Sequence, residues 1–438
     1  MSHYKPYPAY RDSGVEWIGE VPEHWEVKRL RHVASFKNSN VDKKAYEGQE
    51  AVSLCNYTDV YYNEFITPDL PFMQATASAT EIEQFSLRKG DVIITKDSED
   101  PSDIGIPSLV KDDVPGVICG YHLTMIRGAD FDTSRLLHRI LQSNPTQAHF
   151  FVEAPGITRY GLSQDAIGDL PFNYPPENER NGIANAVDRE TARIDALITK
   201  KTRFIELLRE KRQALITHAV TKGLDPDVKM KDSGVEWLGE VPAHWQIKPL
   251  WSVFKPIKRT GFVNEQLLSV YRDYGVIPKS SRDDNRNRAS DDLSPYQLVE
   301  PDNLVTNKMK TWQGSIAVSE HRGIVSPAYF VYEAIEPLFG RFIHHLMRSS
   351  PYITGYMSIS KGIRVGQWDL DQEHFRVFPI LFPSLIEQKA IVKTLDSETA
   401  RIDLVITKTQ RSIDLLKERR AAFITAAVTG QIDLRESA

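Results

Sequence analysis

Apolar residues recur every three or four positions along Ile183, Val187, Ile194, Leu197, Ile198, Ile205, Leu208, Leu215, Ile216 and Ala219. Arg203, Arg209, Lys211 and Arg212 fall between them. That period marks one face of an α-helix, and no Pro or Gly breaks it between Ile183 and Lys222. The pattern returns at Ile391, Leu395, Ile402, Val405, Ile406, Ile413, Leu416, Phe423, Ile424 and Ala427, with Arg411, Lys417, Arg419 and Arg420 on the polar face. About forty helical residues make a rod of roughly 60 Å. So wide an apolar stripe needs a partner, and the simplest partner is its own copy. The spacing therefore predicts an antiparallel intramolecular coiled coil. Its seam would set Ile194, Leu197, Ile198, Ile205, Leu208 and Leu215 against Ile402, Val405, Ile406, Ile413, Leu416 and Phe423.

The helices belong to a larger duplication. "ETARIDALITKKTRFIELLREKRQALITHAVT" from Glu190 is echoed 208 positions later from Glu398, and "DSGVEWIGEVPEHWEVKRL" from Asp12 returns at Asp232 as "DSGVEWLGEVPAHWQIKPL". Each half thus reads as an opener, a divergent globular region and a long helix. The expected division is 1–178 (opener 12–30) and 223–385 (opener 232–250) as two globular modules, with helical regions at 179–222 and 386–438. The fold class expected is α+β: two mixed α/β modules separated by the two long helices, related by a pseudo-two-fold repeat.

Between opener and helix the chain is strand-like, with runs such as "GDVIIT" and "LLSVY" punctuated by Gly, Pro, Asn and Asp. A common plan survives there. "GDVIITKDSEDPSDIGIPSLV" aligns with "DNLVTNKMKTWQGSIAVS", "VICGYHLTMI" with "GIVSPAYFVY", and "GITRYGLSQDAIGDLPFNYPP" with "GIRVGQWDLDQEHFRVFPILFP". A kept scaffold with rewritten loops is the pattern of two equivalent modules that recognise two different things. Trp17, Trp25, Trp237 and Trp245 are expected to anchor the openers, because residues that read different targets should not be identical.

The 438 residues carry a net charge of −5, which by itself argues mildly against a phosphate-rich partner. The basic residues are clustered, however: Lys28, Arg29, Arg31, Lys37, Lys43 and Lys44 in one half, and Lys255, Lys258, Arg259, Arg272, Lys279, Arg282, Arg286 and Arg288 in the other, with Tyr, Asn, Ser and Gln beside them. No phosphate loop of the GxxxxGK[ST] kind and no HExxH motif occurs, and His24 reads as structural. The acidic "DSEDPSD" reads as a solvated loop ahead of a Mg²⁺ site. Cys55 and Cys119 lack metal-ligand or disulfide spacing, and no secretory signal or membrane-spanning run is legible, so a cytoplasmic location is expected.

The repeated "DSGVEW" openers, the paired "ETARID" helices, and "NKMKTWQGSIAVS" with "GIVSPAYFVY" resemble the specificity subunit of type I restriction-modification systems. The resemblance runs the length of the chain. It implies a non-catalytic DNA-binding subunit with two target recognition domains, each reading one half of a bipartite, asymmetric sequence. It also implies helical regions that dock two methyltransferase subunits for adenine methylation, and two restriction subunits for cleavage. S-adenosylmethionine, ATP and Mg²⁺ would then act in the assembled complex, with no cofactor and no metal on this chain. The candidate DNA-contacting residues lie in the rewritten loops: Lys96, Asp97, Ser98, Tyr121, His122, Arg159 and Tyr160 in the first module. In the second they are Lys308, Lys310, Trp312, Gln313, Ser326, Tyr329, Lys361, Arg364 and Gln367. From the residues alone, a two-module protein-binding scaffold without DNA recognition is the competing reading.

Overall fold

The computed structural model describes residues 4–282, 289–364 and 367–435. Two uninterrupted helices dominate it, Glu177–Lys222 and Leu385–Val428, of 46 and 44 residues. The chain divides into two compact units, 1–202 with 410–438, and 203–409. Each unit joins one module to the beginning of one long helix and the end of the other. In the first unit Ile183, Ala186 and Val187 share a core with Phe423, Ile424 and Ala427. In the second, Ile216, Ala219 and Val220 share one with Ile391, Val392 and Leu395. Start meets end in both, so the helices run antiparallel.

The seam is narrower than the stripe that announced it. Ile194, Ile205, Ile402, Ile413 and Phe423 are buried, and Ile198, Leu208, Leu215, Ile406 and Leu416 are partly covered. Leu197 and Val405, at equivalent positions, are each 40% exposed. A two-helix contact covers only the narrow a/d stripe, and these two residues lie on its flank. Charged pairs tie the flanks: Arg420 to Asp195 at 2.9 Å and Arg419 to Glu190 at 2.8 Å in the first unit, and Arg212 to Asp403 at 3.0 Å in the second.

The common plan of the modules is a sheet with one strand order. In the first it runs Ala34–Asn38, Leu123–Gly128, Asp91–Thr95, Pro107–Val110, with Phe65–Ile66 added at the edge. In the second it runs Phe254–Ile257, Tyr329–Ala334, Leu304–Asn307, Ile316–Val318. These four strands are antiparallel throughout in both modules. Asp91–Thr95 is buried at every position, as its all-apolar centre requires of a strand covered on both faces. Cys55 and Cys119 face each other in register on neighbouring parallel strands, free and fully buried, and burial pushes both thiols up.

Each opener is a small hairpin, Tyr10–Asp12 with Glu20–Pro22 and Met230–Asp232 with Glu240–Pro242. Its following strand pairs with the strand that leads into a long helix: Glu26–Arg29 with Pro171–Tyr174, and Gln246–Pro249 with Pro379–Phe382. The reason for the repetition of the opener is visible at its histidine-tryptophan pair. Trp25 Nε1 donates to Glu179 at 3.1 Å, and His24 meets the same carboxylate at 2.8 Å. Trp245 and His244 meet Glu387 at 2.9 and 3.0 Å. Glu179 and Glu387 stand in the first turns of the long helices, where a carboxylate also complements the helix dipole. Trp17 stacks on His149, and Trp237 stacks on Phe378 against Gly355, which occupies the place of His149 in the second module. All four tryptophans therefore anchor the openers within their units.

Candidate nucleic-acid interface

Three rewritten loops meet at one backbone position in each module. Lys96 N donates to His122 O at 2.8 Å, and Lys96 O accepts from Leu162 N at 2.9 Å. In the second module Lys308 N donates to Ala328 O at 3.0 Å, and Lys308 O accepts from Leu370 N at 3.0 Å. The peptide groups of these two lysines thus staple the loop after the buried strand to a second loop and to the segment preceding the long helix. Sequence separation hides this convergence; the sheet order produces it.

In the first module the stapled loops carry a charged cluster. Asp97–Ser98 pairs with Tyr160–Gly161 as a short ladder. Asp97 accepts from Lys96 Nζ at 2.8 Å and from Arg159 Nη2 at 2.7 Å, and contacts His122 Nδ1. Burial works against ionisation of Asp97, but Lys96, His122 and Arg159 outweigh it and hold the carboxyl below its ordinary range. For His122, burial together with the Arg159 and Lys96 charges outweighs Asp97 and pushes the imidazole below its usual range. A neutral ring can donate from Nδ1 to Asp97 while Nε2 accepts from Arg159 Nη2 at 2.9 Å. His122 holds this place with a φ of +76°, uncommon for a non-glycine residue, and the backbone there is strained to present the ring. Tyr121 and Arg159 stand exposed beside it and line an open cleft of about 760 Å³ with Asn40, Lys43, Lys44 and Tyr57.

The second module shows different chemistry on the same scaffold. Lys308 Nζ donates to Pro327 O at 2.8 Å and lies over the Phe330 ring at 4.6 Å. Trp312 stacks on Trp368 with ring centres 5.0 Å apart, while Lys310 and Gln313 are exposed. Lys361 is exposed and bonds Asp371 at 3.3 Å, and Ser326 is half-buried. Tyr329 turns inward against the strands, where burial raises its hydroxyl pKa and Asn307 and Ser269 hydrogen-bond it. The backbones of Arg364 and Gln367 belong to paired strands. Their side chains, with Arg286 and Arg288, lie outside the described residues.

Some of the clustered basic residues are spent internally. Arg29 and Arg31 pair with Asp169, Lys255 with Glu333, and Arg259 with Glu300 and Glu333. Within "DSEDPSD", Asp100 accepts from Ser102 and Asp103 from Tyr61, and no group of three or more metal-ligating residues converges among the described residues. No described helix is long and apolar enough to cross a membrane. The sequence reasoning missed Trp368, Tyr57 and Asn40, and placed Lys43 and Lys44 of the Asn40 loop only in a basic cluster. Their positions beside the candidates follow from folding.

No protein-family model matches the chain. It is 24% identical over 208 residues to the specificity subunit of the Escherichia coli (strain K12) type I restriction enzyme EcoKI, covering 44% of each chain. It is 19% identical over 235 residues to the MjaX type I restriction specificity subunit of Methanocaldococcus jannaschii, covering 53% of each. The matched stretch spans about half the length of these relatives. Among solved structures, a chain from work on complex assembly and conformational transition of the type I R-M system matches with a TM-score of 0.66 and 14% identity, covering 94% of this chain and 99% of that one. The HsdS subunit from Thermoanaerobacter tengcongensis matches with a TM-score of 0.51 and 14% identity, over 94% and 98%. Distant sequence similarity over half of the chain and a shared fold along nearly all of it agree in making the chain similar to type I restriction-modification specificity subunits.

Proposed function

We propose that this chain is the non-catalytic DNA-specificity subunit of a type I complex, each module reading one half of a bipartite target. The observation that carries this is the double convergence of loops at Lys96 and Lys308, one scaffold displaying two unlike sets of side chains. Arg159, Tyr121 and His122 offer hydrogen-bonding groups at one such point, and Gln313, Lys310 and the Trp312–Trp368 pair at the other. Amide and cationic side chains of these kinds suit adenine and guanine edges in the major groove. Asp97, Ser98, Tyr160, Ser326, Lys361, Arg364 and Gln367 complete the proposed reading loops, while Tyr329, turned inward, supports them from the sheet. The ammonium groups of Lys96 and Lys308 are already engaged, so their part is to hold the loops together.

In this reading the antiparallel helices set the number of unspecified base pairs between half-sites, as dimer geometry does for sites one turn, about 34–36 Å, apart. They also dock two methyltransferase subunits and, in the restricting complex, two restriction subunits. Leu197, Phe204 and Leu207 on one helix and Leu404, Val405 and Leu415 on the other are 40–54% exposed, apolar surface that a partner helix would cover. The methyltransferase subunits would bring S-adenosylmethionine and flip the adenine, and the restriction subunits would bring ATP and Mg²⁺.

The test is to express the chain with its methyltransferase subunit in a methylation-free host and map modified adenines by long-read sequencing. A split motif is expected, whose letters change with loop substitutions and whose gap changes when both helices are lengthened by a turn. A single unbroken motif, or no modification dependent on this chain, would refute the proposal.

A further inference from the structure

The duplication supplies an internal control for a cleft in the second unit. "RLLHRILQSNP" from Arg135 aligns with "RFIHHLMRSSP" from Arg341, and Arg420 of one long helix aligns with Arg212 of the other. In the first unit these elements close around a carboxylate. Glu64 bonds both Arg139 and Arg420, and those arginines reach on to Asp188 and Asp195 at 2.6 and 2.9 Å. Here the chain carries its own anion between two guanidinium groups.

The equivalent place in the second unit has, among the described residues, several cations and no carboxylate held between them as Glu64 is. A cleft of about 520 Å³ is lined by Arg212, Arg272, Arg348, His344 and His345, with Ser350 at its edge. Arg348 replaces Gln142, and the hairpin opposite brings Arg272, Asp273 and Tyr274 where the first unit has Glu64. Among the described residues Arg348 hydrogen-bonds His344 Nε2, at 2.9 Å, and the carbonyl of Arg272. Of the nearby carboxylates, Asp403 pairs with Arg212 at 3.0 Å and Asp396 with Arg341 at 2.7 Å, while Asp273 is exposed, lies 4.0 Å from Arg272 and acts on Arg348 through space. Among the described residues no carboxylate comes within ion-pair distance of Arg348. Burial first, and then the neighbouring cations, drive His344 and His345 down to about 3 and 4, while burial lowers Arg348 against the opposing pull of Asp273. Ser350 opens a nine-residue helix whose N-cap residue, Ser349, bonds back to Leu346 O at 2.7 Å and leaves the first N–H groups uncapped.

We propose that this cleft binds one phosphodiester group of the nucleic acid, held by Arg348, Arg212 and Arg272. Three guanidinium groups against Asp273 and Asp403 leave an excess of one positive charge, which a singly charged diester balances and a dianionic phosphate would overshoot. The cleft borders Gly314, directly after the exposed Gln313 of the reading loop, so a backbone contact here would fix the register of that loop on the duplex. Tyr274, 57% exposed, stands at the same rim. This assignment rests on the DNA-binding reading above.

The test measures duplex binding by the complete complex with its methyltransferase subunits across a range of salt concentrations. Arg272→Ala (its side chain is exposed) and Arg348→Ala should each weaken binding several-fold and lower the slope of log affinity against log salt by about one. A duplex carrying a neutral methylphosphonate at the contacted position should reproduce the loss and show no further loss with Arg272→Ala. Specific binding with unaltered slopes in both variants overturns the phosphate assignment and leaves the DNA reading standing. Loss of methyltransferase subunits from the complex at an unaltered slope assigns the cleft to a partner's carboxylate and also overturns it. A wild-type complex that binds no duplex overturns both.

Discussion

Removing the Glu179 carboxylate should destabilise the first unit more than any single change on the surface. Glu179 is 7% exposed and accepts from Trp25 Nε1, 1% exposed, and from the Tyr7 hydroxyl, 3% exposed, each at 3.1 Å, with His24 as third partner. Burial and the Glu179 charge push the Tyr7 phenol up, so it remains a donor at every working pH. Glu179→Ala leaves two buried donors unpaired at about 1–3 kcal/mol each, roughly 4 kcal/mol together. For a unit in the 150–250-residue range that corresponds to a drop of about 10 °C in melting temperature. Glu387→Ala strands only Trp245 inside, since His244 is exposed, and should cost about half as much. Thermal and urea unfolding of wild type, Glu179→Ala and Glu387→Ala provide the measurement. Equal and small shifts in both variants would refute the argument that these carboxylates fasten openers to helices.

Three further outcomes can be checked alongside. Arg420→Ala breaks contacts to both Glu64 and Asp195 and should cost about 3 kcal/mol, whereas Arg212→Ala loses one exposed pair and should cost under about 1 kcal/mol, as read by urea unfolding. His138, His344 and His345 are driven below the usual imidazole range first by burial, so the folded state holds them neutral while the unfolded chain protonates them near pH 6.5. The stability they contribute is complete above that pH and is lost as pH falls toward their folded values. At pH 5 the loss is about 2 kcal/mol for each of His344 and His345, and His344→Gln should flatten the measured pH–stability curve by that amount. Phe204→Asp and Leu415→Asp should leave the unfolding midpoint within about 0.5 kcal/mol yet weaken co-purification with the methyltransferase subunit, since both residues are nearly half exposed.

Much of the candidate site was legible because it follows from comparing the halves. Aligning Lys96 with Lys308 required only the apolar strand before each, and the same alignment placed Tyr121, His122 and Arg159 in loops of one module. What those side chains do was not legible. A lysine at a loop mouth reads as a phosphate contact, yet Lys96 finds Asp97 and Lys308 finds a carbonyl. Tyr329 stands among the candidate DNA contacts, yet it lies on the inward face of its strand. Strand parity and the neighbour across the sheet decide such outcomes, and neither is local.

The sequence by itself determined the two long helices, the duplication and the equivalence of the modules, because helical period and repetition are properties of neighbours along the chain. Only the tertiary structure decided that Glu179 and Glu387 hold the openers, that Leu197 and Val405 face outward, and that one arginine cleft is filled by Glu64 while, among the described residues, no carboxylate pairs with Arg348 in its counterpart. Those contacts join residues up to hundreds of positions apart, and their energy exists only once the sheets and helices have brought the partners together.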